Sequence, residues 1–161
     1  MRRPLLIATG ALFAGAGLFA GIASLAAPWG RYRVSGSAVG GVDIPEPAPL
    51  AVFQVAGGTW YLLALGLLAG LLAIAALDTG RAATVALTAA PTLGIVTALG
   101  VVALANGVAR VAGGADAMGV AHFEVTGETA YGVWIGLVAG PLLGFGTGAV
   151  ALGRRRSEGP L

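Results

Sequence analysis

Four stretches of this chain are long, apolar and uncharged inside, and they leave it few ways to fold. They run about Leu5–Ala27, Thr59–Leu77, Ala82–Val108 and Tyr131–Gly153. A helix needs about 20 residues to cross the roughly 30 Å of hydrocarbon in a bilayer. No water is present there to satisfy a bare backbone, so the stretches are helices rather than loops or open strands. Composition agrees: 10% of the residues are charged, against about 25% in a soluble domain. The expected fold is an all-α transmembrane four-helix bundle. Residues 1–161 form a single integral membrane domain, and the lipid bilayer is its first partner.

Arginine placement sets an expected direction. Arg2, Arg3, Arg81, Arg154, Arg155 and Arg156 fall on one side of the four spans, and Arg31, Arg33 and Arg110 on the other. The excess of basic residues belongs on the cytoplasmic side. The chain then reads as a multi-pass cell-membrane protein with both termini in the cytoplasm. External loops occupy residues 30–58 and 109–130. The net charge of +2 follows from these span ends and gives no reason to expect nucleic acid. Every Trp and Tyr (Trp29, Tyr32, Trp60, Tyr61, Tyr131, Trp134) lies near an outer span end. Amphipathic rings favour the headgroup layer, so Trp29, Trp60 and Trp134 are expected as interface anchors. The first span could also be read as a signal peptide cut after Ala26, but its apolar run exceeds the usual 7–15 residues of such a segment.

The external loops carry strand patterns. Arg31, Arg33 and Ser35 alternate with Tyr32, Val34 and Gly36; His122, Glu124 and Thr126 alternate with Ala121, Phe123 and Val125. Period-2 alternation marks a strand with two unlike faces. Gly40-Gly41 breaks the first pattern, and Pro45, Pro47 and Pro49 impose an extended, donor-poor stretch. Leu50–Ala56 reads as another strand. Together these predict a small extracytoplasmic antiparallel β-sheet over the outer helix ends.

Lipid does not drive apolar helices together, so small residues must let them approach. Gly136, Gly140, Gly144 and Gly148 recur every four residues in the last span and form the expected packing stripe, within one bundle or between copies. Pro91 and Pro141 are expected to kink their spans. Asn106 is the expected buried amide, and Thr84, Thr88, Thr92, Thr97 and Thr147 can bond back to their own helices. No ionisable group lies inside a span, and no nucleophile, phosphate-loop or dinucleotide motif is present. The chain has no cysteine and a single histidine. His122 with Glu124 and Glu128 forms the one candidate external polar cluster. One imidazole and two carboxylates do not make a persuasive metal set, so no metal, cofactor or catalytic residue is assigned.

The layout resembles the claudin-like four-helix membrane proteins: inner termini, a longer strand-forming first loop, and Trp29 just after the first span. The Gly-Leu-Trp and two-cysteine signature of that group is missing, so its tight-junction role does not carry over. The chain more closely resembles small actinobacterial four-span proteins, among them the tryptophan-operon-associated membrane protein family. That resemblance rests on Ala27-Pro28-Trp29, Val34-Ser35-Gly36 and Tyr131-Gly132-Val133-Trp134, and it implies a cell-membrane location. The functional expectation is a non-enzymatic accessory or scaffold subunit, held by a membrane-protein partner or in a homo-oligomer. The alternatives are an oligomeric channel or transporter component and an external ligand sensor.

Overall fold

A computed structural model describes residues 2–36, 49–78, 80–109, 113–117 and 121–155. Gly40-Gly41, Pro45, Pro47, Arg110 and Arg156 lie outside them. Helices α1 (Arg2–Ala26), α2 (Gly58–Leu77), α3 (Arg81–Ala109) and α4 (Tyr131–Arg155) cover the four apolar stretches. All four are long and apolar enough to cross a membrane. Leu12, Phe19, Leu63, Leu99 and Phe145 are exposed around the outside. A soluble monomer rarely shows so much contiguous apolar surface, and lipid tails are the solvent that suits it.

α4 is the hub. Of its span, 56% is buried, against 22–28% for the other three. It lies closely along α1 on one side and α3 on the other, while α2 rests on α3 and α4 and scarcely touches α1. Small residues make these approaches possible. A methyl group at Gly140 would sit 2.9 Å from the Gly94 carbonyl oxygen and 2.9 Å from Thr97 Cβ. One at Gly144 would overlap the Ala90 carbonyl, and one at Gly148 would lie 3.0 Å from Pro91 Cγ. On the other side, the backbone of Gly146 meets Gly10 and Ala14 of α1, Leu143 presses against Gly17, and Gly153 faces Ile7. The expected stripe thus divides. Gly140, Gly144 and Gly148 pack on α3, while Gly136 faces the Trp29 ring. A second set of small residues, Gly10, Ala14, Gly17, Gly146 and Gly153, joins α4 to α1. Both α3 and α4 run as single helices through Pro91 and Pro141.

The connections at one end of the bundle form an antiparallel sheet: β1 (Gly30–Gly36), β2 (Pro49–Leu50), β3 (Gly113–Ala117) and β4 (Ala121–Thr129), in the order β2-β1-β4-β3. β2 contributes only two residues, so three strands make up nearly the whole sheet. β1 and β4 form where alternation predicts them. β3 does not announce itself, because Gly-Gly-Ala-Asp-Ala consists of residues depleted in strands; it exists because β4 supplies a ladder.

Leu50–Ala56 is a correction. Only Pro49–Leu50 is strand, and Val52–Gln54 form one 3-10 turn. Val52 and Val55, three residues apart, are both buried, which a strand continuing past Leu50 would not allow on one face. The Gln54 side-chain oxygen accepts the Ala51 N–H at 2.8 Å and closes the turn. Gly57 then takes φ +85°, a left-handed conformation that glycine adopts without steric cost, and α2 begins. The sheet rests on the end of α3, where a methyl at Gly127 would overlap the Val108 carbonyl and one at Gly30 would lie 2.8 Å from Val108 Cγ1.

Candidate functional site

The best-formed polar arrangement lies where bundle and sheet meet. Pro28 ends α1, and the chain turns so that the Trp29 ring folds back beneath the sheet. Its Nε1–H donates to the Ser24 carbonyl at 2.8 Å. The ring meets Tyr61 of α2 edge-on, with centroids 4.8 Å apart and planes at 60°, within the range favoured by ring quadrupoles. Glycines on α4 make the room: methyls at Gly132 and Gly136 would lie 2.8 Å from Trp29 Cδ1 and 2.9 Å from Cζ2.

Ser24 completes the arrangement. Its hydroxyl donates to the Gly21 carbonyl at 2.7 Å and stands 2.8 Å from Tyr61 Oη. A serine has one proton to give, so with that proton on Gly21 the phenol of Tyr61 donates to Ser24. Trp29, Ser24 and Tyr61 are all 0% exposed. The adjoining backbone ties the elements together: Trp29 N–H donates to Leu50 O at 2.8 Å, Ala130 N–H to Trp29 O at 3.1 Å, and Gly132 N–H to Pro28 O at 2.9 Å. The last two satisfy donors at the start of α4 that a helix leaves open.

Trp29 is therefore not the interface anchor that its position suggests. It is a buried wedge among α1, α2, α4 and β2, and Tyr61 is likewise interior. Trp60 and Trp134 are exposed at the sheet-side ends of α2 and α4, and Trp60 also lies against Gly100 of α3. Ser24 and Tyr61 have no sequence motif. The available signal was a hydroxyl late in the first span and a tyrosine early in the second, at matching depth, with small residues at Gly132 and Gly136 leaving space for a ring.

The pair of hydroxyls gives an asymmetric expectation. Tyr61→Phe removes one interhelical hydrogen bond and should cost about 0.6 kcal/mol, the mean for such bonds in membranes. Ser24→Ala leaves the buried phenol without its acceptor and should cost about 1–3 kcal/mol. Unfolding of both variants in mixed detergent checks this; equal effects would contradict the assigned donor direction.

The candidate external cluster is strung out rather than gathered. Backbone register sets His122 opposite Asp116, Glu124 opposite Ser35 and Gly114, and Glu128 opposite Arg31. Six residues of strand, about 20 Å at 3.4 Å per residue, separate His122 from Glu128, too far to share one ion. The side chains of His122 and Glu124 lie outside the described part; Glu128 is exposed. Asn106 is also exposed, on a groove of about 310 Å³ with Thr129 and Trp134, rather than buried. Thr84 donates to the Gly80 carbonyl just before α3, and Thr88, Thr92 and Thr97 bond back to their own helix. Thr147 does not: its hydroxyl is buried and has no hydrogen-bond partner.

No protein-family model matches the chain, and neither a curated protein nor a solved structure is significantly similar to it.

Proposed function

We propose that the chain is a non-enzymatic accessory or scaffold subunit of a cell-membrane complex, with its sheet outside the cytoplasm as the recognition surface. The observation that carries this reading is the junction itself. Trp29, Ser24 and Tyr61 lock the sheet to the bundle by hydrogen bonds from both main chain and side chains. That construction holds a surface still. In register, β1 and β4 set Arg31 against Glu128, a mixed-charge pair of the kind that fixes orientation between partners. A claudin-like layout belongs to the same proposal, with Trp29 after the first span and strands from both connections. So does kinship with the small four-span actinobacterial proteins. Gentle-detergent purification from the native membrane, with mass spectrometry and particle mass, is the test. A stoichiometric foreign membrane protein supports the scaffold reading. A homo-oligomer without partners moves the assignment to a channel component, and a lone monomer to a ligand sensor.

Orientation is tested separately. Reporter fusions after Arg155 should be active in the cytoplasm, and a tag inserted at residues 40–44 should be labelled by a membrane-impermeant reagent in intact cells. The opposite pattern would reverse the proposed direction.

A further inference from the structure

α1 and α2 leave a cleft on the sheet-side half of the bundle. The two helices approach at Gly21, where a methyl would lie 3.2 Å from the Leu65 side chain. Around it, Leu18, Ile22 and Leu25 of α1 face Leu62 and Ala69 of α2 across an almost wholly apolar space of about 220 Å³. Gly66 forms part of the wall, and a methyl there would meet nothing within 4 Å. Above the cleft a second hollow of about 370 Å³ opens between the last turn of α1 and the β2 segment, lined by Ala26, Arg31, Pro49 and Gln54 among others. Ile22 lines the lower hollow and Ala26 the upper. They stand one turn apart on α1, so the two hollows follow one another along the same helix stripe.

We propose that these two hollows form one binding site for an anionic glycerophospholipid of the sheet-side leaflet. Its phosphate lies on Arg31 and Gln54, and one acyl chain lies in the α1–α2 cleft. Among its described lining residues the upper hollow offers donors and no carboxylate. Arg31 is exposed, and a guanidinium has five N–H groups and no acceptor. Glu128, its cross-strand partner in register, can draw on some of these and leave others for phosphate oxygens. The Gln54 oxygen is engaged by Ala51 N–H, so the amide presents its NH₂ group. The carbonyl end of α1 closes the other side. It carries the negative end of a helix dipole, which suits headgroup hydroxyls and places the phosphate at the Arg31 side. A helix from a partner is about 10 Å across, too wide for the lower hollow; a single acyl chain is not.

The test uses the full-length protein in a nonionic detergent, with thermal unfolding followed as dioleoyl phosphatidylglycerol, dioleoyl phosphatidylcholine or glycerol 3-phosphate is added. Phosphatidylglycerol should raise the midpoint by several degrees, and the other two should not. Arg31→Gln should weaken the apparent affinity for phosphatidylglycerol about tenfold, with Arg31→Lys in between. Gly66→Leu should abolish the response while leaving the lipid-free midpoint unchanged or higher, because its Cβ meets nothing within 4 Å and the rest of the side chain occupies the cleft. An equal response to phosphatidylcholine would overturn the charge recognition. A full response to glycerol 3-phosphate would overturn the acyl cleft. An undiminished response in both Arg31→Gln and Gly66→Leu would overturn the site altogether.

Discussion

Gly144→Leu is expected to destabilise the bundle by about 3 kcal/mol or more, the upper end of the cost of overpacking a core. Even a methyl at Gly144 overlaps the Ala90 carbonyl and comes within 3.1 Å of Gly94 Cα. Both neighbours are main-chain atoms of α3, which cannot rotate away as a side chain can. Relief would require α3 and α4 to separate along their length, exchanging close contacts for lipid. In a bilayer those contacts are most of what holds helices together. Gly140→Leu should behave alike, since Gly94 O and Thr97 stand at 2.9 Å. Gly70→Leu on α2 is the control: a methyl there meets nothing within 4 Å, so stability should be kept. The measurement is the unfolding midpoint in mixed detergent. If Gly144→Leu and Gly70→Leu unfold together, the packing assignment is wrong.

Trp29→Ala should cost about 3–5 kcal/mol, the usual range for emptying a buried aromatic site. The loss combines the ring contact with Tyr61, the hydrogen bond to the Ser24 carbonyl and the filling of space over Gly132 and Gly136. Trp29→Phe keeps most of the volume and removes the donor, so its cost should be nearer 1 kcal/mol. A spectroscopic check separates a buried wedge from an anchor. In vesicles containing brominated lipid, a chain whose only tryptophan is Trp29 should be quenched weakly. Chains keeping only Trp60 or only Trp134 should be quenched strongly. Strong quenching of Trp29 would restore it to the interface.

How far the sequence spoke depended on the range of the forces involved. The spans were legible because each needs only its own twenty apolar residues. β1 and β4 were legible because alternation in Arg31–Gly36 and Ala121–Thr126 is a local property. Gly-Gly-Ala-Asp-Ala carries no local preference for a strand and is one only by pairing with residues 121–125. Leu50–Ala56 has strand-like composition, yet the burial of Val52 and Val55 between helices prevails over it. Trp29 shows the same limit at the candidate site. A tryptophan just after a span is placed equally well for lipid or for protein, and the choice was made by Tyr61, Gly132 and Gly136, far away in sequence. The α4 stripe was readable by its spacing, but the division of its glycines between α3 and Trp29 was not, because spacing does not say which neighbour arrives.

The sheet draws β1 and β2 from the first connection and β3 and β4 from the second, and its central pair is β1 with β4. The whole of α2 and α3 is made between those two strands. During synthesis β1 therefore has only its two-residue pairing with β2 until α3 has been made and the second connection has followed it. Contacts of such long sequence separation close late. A finished sheet is thus a signature that α2 and α3 have been made and the second connection has arrived, and a partner that recognises its β1–β4 pair would pass over chains that have not reached that stage.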